Sequence, residues 1–266
     1  MRLTLAPLGR FDLGGAAAAL IAFLAFRMHA LTAGGALAAF IVGSITFGAL
    51  DIGGAAVLLT FFVSSIALSR LGRDRKRSLE RDIGKSGPRD AMQVLANGGV
   101  AALCALLALG GDVRYEAAFC AALAAATADT WGTEIGTPLG GKPRSIVTWR
   151  PIEAGLSGGV SIAGTIAEIA GALSIAAVAF ACGFRPFWAI VAGGVAGAFV
   201  DSLLGATLQK LRWCPQCRRP SEREPHGCGA NTTSLRTLGF LDNDGVNLIA
   251  TLSGAAVAYF LASALP

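Results

Sequence analysis

Ala117-Ala-Phe-Cys-Ala-Ala-Leu-Ala-Ala-Ala-Thr-Ala-Asp129-Thr-Trp-Gly-Thr-Glu134-Ile-Gly136 sets a membrane-grade apolar run against two carboxylates. Neither Asp129 nor Glu134 has a cationic neighbour in this stretch. An ionisable side chain in hydrocarbon costs at least about 2.5–3.5 kcal/mol, so its presence marks a functional site by default. On a continuous helix the two acids point about 140° apart. Sharing one ion requires the helix to unwind around Gly132, which is tolerated at membrane depth where the backbone lines a cavity. A helix break at Gly132 is therefore expected. Trp131 has the character of an interfacial anchor.

Composition generalises the point. The chain is 54% hydrophobic and 15% charged, where a soluble domain carries about a quarter charged residues. Apolar runs long enough to cross a hydrocarbon core of about 30 Å recur along it. They fall at 13–28, 31–50, 52–69, 91–110, 116–132, 158–181, 187–209 and 245–263. The expected fold is all-α: a polytopic helix bundle of about eight spans, in contact with the lipid bilayer. The first run, behind Arg2 and Arg10, has signal-peptide character, but a second apolar run follows at once. Residues 1–69 are Gly/Ala-rich and suit close helix packing. Residues 70–266 carry the chemistry, with loops at 70–90, 133–157 and 210–240.

Most of the 22 Lys and Arg residues lie in those three loops, which eight spans would place on one face. The positive-inside rule makes that face cytoplasmic and both termini external, with Arg2 and Arg10 arguing mildly against an external N-terminus. The net charge of +5 is thus a matter of topology, and no nucleic-acid partner is implied.

The polar residues within spans then fall at one depth. Arg89, Gln93 and Asn97 lie one turn apart on a helical face, beside Asp90. Ser157, Ser161, Thr165 and Glu168 repeat the spacing in the sixth run, while Asp201 and Ser202 sit near the end of the seventh. The eighth opens on Asp242, Asn243 and Asp244 and continues through Asn247 and Thr251. Interhelical hydrogen bonds of about 0.6 kcal/mol suffice for Ser161, Thr165 and Thr251. They do not suffice for Asp129, Glu134, Glu168 and Asp201, which need counter-charges or a metal. Asp242 and Asp244 also suit ordinary helix capping.

Acids facing basic loops suit a hard divalent cation that binds one or two carboxylates plus substrate phosphates. Lys85 and Arg89 suit phosphate oxygens. The glycine segments 136–142 and 155–159 would let backbone amides approach a phosphate chain. Gly84-Lys85-Ser86 is no Walker A loop, because Leu79 stands where glycine is required. Cys104, Cys120 and Cys182 read as small apolar residues. Cys214, Cys217, His226 and Cys228 form a Cys-x2-Cys-x8-His-x-Cys set in a cytoplasmic loop. In a reducing compartment that set suits structural Zn²⁺ better than disulfides.

Four motifs carry a family resemblance: residues 84–99 (Gly-Lys-Ser-Gly-Pro-Arg-Asp-Ala-Met-Gln-Val-Leu-Ala-Asn-Gly-Gly), 128–136 (Ala-Asp-Thr-Trp-Gly-Thr-Glu-Ile-Gly), 197–206 (Gly-Ala-Phe-Val-Asp-Ser-Leu-Leu-Gly-Ala) and 243–247 (Asn-Asp-Gly-Val-Asn). In this order they resemble the phytyl-phosphate kinase family, which includes a vitamin E pathway enzyme of plastids, animal relatives of the transmembrane protein 19 type, and many archaeal and bacterial proteins. The resemblance implies a membrane-embedded kinase of the prokaryotic plasma membrane, its site on the cytoplasmic side. It would pass the γ-phosphate of a nucleotide, CTP by analogy, to an isoprenyl monophosphate. Asp129, Glu134, Asp201 and Asp244 would hold Mg²⁺. Lys85 and Arg89 would hold phosphates, with Asn97 and Asn247 orienting them and Lys142 and Arg144 reaching the nucleotide. Gln93, Ser157, Glu168, Ser202 and Asn243 complete the expected binding set. Two other classes fit the same residues: a CTP-dependent polyprenol kinase or lipid cytidylyltransferase, and an ion-coupled transporter using Glu168 and Asp201. A transporter predicts polar residues through to the outer leaflet, where this chain is nearly all apolar.

Overall fold

The computed structural model describes residues 7–70 and 87–264. Among them are seven helices: α1 (Pro7–Arg27), α2 (Ala33–Arg70), α3 (Ala91–Ala108), α4 (Val113–Leu139), α5 (Ile162–Ala181), α6 (Phe187–Thr207) and α7 (Asn243–Ala264). Of these, α2, α3, α5, α6 and α7 are long and apolar enough to cross a membrane.

Helix α2 is two helices joined at a sharp turn. Asp51 has φ 58° and ψ −156°. A Cβ on Gly54 would sit 3.2 Å from the carbonyl oxygen of Thr46, whereas residues eight apart in a straight helix are about 12 Å distant. The chain therefore doubles back at the residue that separates the second and third apolar runs. The side chain of Asp51 caps the new start by accepting from Ile52 N–H at 2.9 Å.

Chain reversals then alternate between two ends of the bundle. At one end, Thr32 N–H donates to the Arg89 carbonyl and Arg89 N–H to the Ala30 carbonyl, both at 3.0 Å. Arg70 Nη2 reaches the Met28 carbonyl at 3.3 Å. The segments 140–161 and 208–242 follow helices that run to this same end. At the other end, Gly53 lies against Cys182 and Phe184, and Arg114 meets Asp112 at 2.6 Å and Ser263 at 3.4 Å.

Helix α4 is the hub, touching α2, α3, α5, α6 and α7. Every residue from Ala117 to Ala128 is buried. Alanine and glycine make this possible by letting backbones approach. A Cβ on Gly193 would fall 2.8 Å from the Ala121 Cβ, and one on Gly254 3.0 Å from the Ala125 Cβ. Thr251 Oγ1 bonds the Ala96 carbonyl across α3 at 3.0 Å, an interhelical bond of the expected kind.

Two expectations about local structure are corrected. Helix α4 runs unbroken through Gly132 to Leu139, so residues 136–139 are helix and not a phosphate loop. Helix α5 begins at Ile162 with Ser161 as its N-cap, accepting from Gly164 N–H at 3.1 Å. Ser157 therefore lies in a turn before it. Trp131 is half-buried, its indole N–H directed at Ser64 Oγ on α2 at 3.3 Å. Small sheets join the helices at the loop-rich end. Strand β1 (Arg144–Ser145) pairs with β2 (Gly159–Val160), and β3 (Arg212–Cys214) lies between β4 (Arg219–Ser221) and β5 (Thr233–Ser234).

Candidate active site

A cavity of about 1250 Å³ opens between α1, α2, α3 and the second half of α4, and is closed on its far side by α5, α6 and the segment 209–227. Its polar chamber holds Arg89, Gln93, Asn97, Asp129, Glu134, Glu168, Asp201 and Ser202. Ser157, Asp242, Asn243 and Asn247 line it as well.

Three acids meet at its centre. The carboxyls of Asp129 on α4, Asp201 on α6 and Glu168 on α5 are close enough to act on one another. Gly132 explains how Glu168 fits. A Cβ there would stand 2.6 Å from Glu168 Cγ and 2.8 Å from its Oε1. The glycine expected to break the helix instead makes room for a carboxylate from the next helix. Asp201 Oδ2 is buried with no hydrogen-bond partner among the described residues. Three buried acids so close together demand a counter-charge.

Glu134 occupies another side of α4, as the 140° offset requires. Its Oε1 accepts from Ser69 Oγ at 2.7 Å, and it faces Arg89. Burial holds the Arg89 guanidinium below its ordinary value, and the negative charge of Glu134 works against that loss. Arg89 stays charged throughout the physiological range. Helix α3 places Gln93 and Asn97 below it. Gln93 is partly committed to a capping box, with Gln93 N–H donating to Asp90 Oδ1 at 3.0 Å and Asp90 N–H to Gln93 Oε1 at 3.2 Å. Asn97 donates to the Gln93 carbonyl at 2.9 Å.

Several expected residues stand elsewhere. Lys85 lies outside the described residues. Lys142 and Arg144 do not line the cavity, although Pro143 between them does; both are exposed, and Arg144 Nη1 bonds the Trp149 carbonyl at 2.9 Å. Asp244 is buried in the first turn of α7 and is absent from the cavity wall. Asp242 lines the wall but also caps α7, accepting from Gly245 N–H at 2.9 Å.

Other residues were missed. Lys210 and Arg223 add positive charge to the cavity wall. Glu222 reaches across from the Cys/His loop, accepting from Ser157 N–H at 2.8 Å, Ser157 Oγ at 3.0 Å and Gln209 Nε2 at 2.8 Å. Burial pushes the Glu222 carboxyl up, and these hydrogen bonds with Arg236 nearby hold it back. The only signal in sequence is an acid isolated among arginines at 218–223. Cys214, Cys217, His226 and Cys228 do converge, their ligand atoms within 4.8 Å of one another, a set able to hold a metal ion.

The polar chamber is one end of the cavity. The rest is apolar, walled by Ala17, Ile21, Val42, Phe47, Ala55 and Leu59. Both Ser69 and Ile52 line the cavity, so the cavity as a whole follows the second half of α2 for about 26 Å.

Residues 16–255 match the family model described as integral membrane protein DUF92. The chain belongs to that family. It is the family to which the four motifs pointed, and the match takes in α2 and, from residue 16 onward, α1, which those motifs left out. Protein PGR of Arabidopsis thaliana is 30% identical over 88% of this chain and 89% of its own length. Membrane protein MJ0933 of Methanocaldococcus jannaschii is 32% identical over 76% of the chain and 73% of its own. Protein VTE6, chloroplastic, of Arabidopsis thaliana is 27% identical over 56% and 46% respectively. No solved structure matches the chain. As a DUF92 member the protein is an integral membrane protein, and its lipid-facing helices account for the exposed Ile162, Ile166 and Phe199.

Proposed function

We propose that this protein is a membrane-embedded kinase that transfers the γ-phosphate of a nucleoside triphosphate, CTP by family resemblance, to an isoprenyl monophosphate. One observation carries the proposal: a single cavity, about 26 Å long beside α2, joins a chamber of carboxylates and basic groups to an apolar extension. A phosphate head and a hydrocarbon tail have complementary places in it. The eight helical segments, counting α2 as two, would cross the bilayer with the loop-rich end in the cytoplasm of a prokaryote, where the nucleotide is.

Asp129, Asp201 and Glu168 fit a divalent cation. They are hard oxygen donors, they lack a described counter-charge, and Asp201 offers a buried unsatisfied oxygen. Glu134 stands one turn nearer the loops, beside Arg89. When bound there, Mg²⁺ would neutralise charge on the transferring phosphates. Arg89, with Lys210 and Arg223 at the wall, holds phosphate oxygens; Asn97 and Asn247 orient the acceptor. A phosphomonoester is largely dianionic at pH 7 and needs no general base. Its oxygen forms a bond to the γ-phosphorus while the bond from that phosphorus to the β–γ bridging oxygen breaks. The nucleoside diphosphate leaves with the electron pair. Positioning and charge neutralisation supply the catalysis.

The test is purified full-length protein in detergent with Mg²⁺, γ-labelled CTP or ATP, and a panel of prenyl alcohols and prenyl monophosphates. Label transfer confined to monophosphates is expected. Transfer to alcohols would select the polyprenol kinase, and transfer of the nucleotidyl group a cytidylyltransferase. Saturable solute flux in liposomes without any label transfer would select a transporter.

A further inference from the structure

We propose that Cys214, Cys217, His226 and Cys228 hold a structural Zn²⁺, and that this ion clamps the strap bearing Glu222 against the glycine turn at Ser157, thereby fixing one wall of the cavity.

The ligand geometry comes first. Cys214 ends β3 and Cys217 follows in the turn to β4, where Cys217 N–H points at Cys214 Sγ at 3.4 Å. Cys214 Sγ and Cys228 Sγ are 3.6 Å apart, and His226 Nδ1 is 3.1 Å from Cys228 Sγ. A disulfide needs about 2.05 Å between sulfurs. Two thiolates on one tetrahedral Zn²⁺, each bonded at about 2.3 Å, stand about 3.8 Å apart. The Cys214–Cys228 pair therefore already has the spacing of two zinc ligands, and all four ligand atoms lie within 4.8 Å of one another. Cys214 and His226 are buried and Cys217 and Cys228 exposed, so the site is anchored in the loop interior and opens at its surface.

The connection to the cavity comes second. The ligands bracket residues 218–225, with Glu222 at the centre. Its two oxygens take three hydrogen bonds, from the backbone and hydroxyl of Ser157 and from Gln209. Ser157 sits between Gly155 and Gly158, whose φ values of 94° and 80° only glycine adopts readily. That turn rests on the end of α6: a Cβ on Gly205 would stand 2.9 Å from Gly158 N. Helix α6 carries Asp201 one turn earlier. The clamp thus acts through strap, Glu222 and turn onto the helix that presents a central acid. Metal bound to a loop of this kind contributes folding free energy locally. Glu222 is a positioning residue, and no part of this depends on which lipid or nucleotide the cavity accepts.

The test uses full-length protein purified from zinc-replete cells. Elemental analysis is expected to find about one zinc per chain, absent from the Cys214→Ser/Cys217→Ser double variant. Hydrogen exchange at the Ser157 amide is expected to accelerate at least about tenfold in that variant, because its acceptor is released. In wild-type protein, chelation by phenanthroline should reproduce the change, and added Zn²⁺ but not Mg²⁺ should reverse it. Glu222→Ala should keep its zinc and still lose Ser157 protection. The chelation arm serves if the double variant fails to fold. Zinc-free wild-type protein, a Cys214–Cys228 disulfide, or Ser157 exchange indifferent to chelation would overturn the proposal.

Discussion

The two halves of α4 use the same small residues for opposite ends. From Ala117 to Ala128 the helix is dry and buried on all sides, because glycines on α6 and α7 bring their backbones against its alanines. From Asp129 to Leu139 it is polar and borders the cavity, and there the missing side chain of Gly132 admits Glu168. In the first half absent Cβ atoms close space between helices; in the second one absent Cβ opens space for a charge. Substitutions that respect this division should separate activity from stability.

The largest effect is expected at Asp129. Asp129→Asn preserves size and removes one of three clustered charges. Loss of a cation ligand that neutralises phosphoryl charge should lower kcat/KM about a thousandfold, or about 4 kcal/mol of transition-state stabilisation. The melting temperature in detergent should hold or rise, since the neighbouring acids repel one another less. Turnover within tenfold of wild type would place the cation elsewhere.

The dry half should answer in the reverse sense. On Gly194 a Cβ would already stand 2.7 Å from the Ala124 Cβ and 2.9 Å from the Ala172 Cβ. Gly194→Val should destabilise the bundle by about 3 kcal/mol through overpacking. It should appear as poor yield and early thermal aggregation, with per-molecule activity of the surviving fraction little changed. A stable but inactive Gly194→Val protein would show that the two halves are not separable.

Much of this architecture is legible in sequence. Apolar runs locate the helices because hydrocarbon admits no alternative backbone pairing, and even the reversal at Asp51 shows as a single acid between two runs. The acids Asp129, Glu168 and Asp201 stand out because charge at that depth has no cheap explanation. Gly132 was misread for a physical reason: its partner, Glu168, comes from another helix, and intrahelical spacing cannot report it. Glu222 was invisible because an acid in an arginine-rich loop looks solvated until Ser157 is brought beside it. The exposure of Lys142 and Arg144, on either side of a Pro143 that lines the cavity, falls in a loop where no periodicity announces it. The apolar extension was hidden for the opposite reason, since Gly and Ala in α1 and α2 read as packing whether or not they enclose a space.

An intermediate effect is expected at Gly132. Gly132→Ala would press on Glu168 Cγ at 2.6 Å, a flexible side chain that can swing aside. Activity should fall about tenfold, equivalent to 1.4 kcal/mol, with stability nearly unchanged. A fall in stability like that of Gly194→Val would mean that Gly132 is packed as the dry half is, and the comparison between the halves would fail.

The smallest effect, and the most selective, is expected at Ala55. It lines the apolar extension near the end of the cavity remote from the acids, three residues beyond Ile52. Ala55→Phe shortens the extension without touching a polar group. Short-chain prenyl monophosphates should react as before, because their tails end before the new ring. Long-chain acceptors must bend or withdraw their last methylenes from the cavity, and their kcat/KM should fall roughly fourfold relative to short ones, equivalent to about 0.8 kcal/mol. The ratio of rates for long and short acceptors is the measurement, since it cancels differences in protein quality. An unchanged ratio would mean that the tail runs out between helices into the bilayer and that α1 and α2 only flank the site. A ratio that falls with each added isoprene unit would make them the wall that sets chain length.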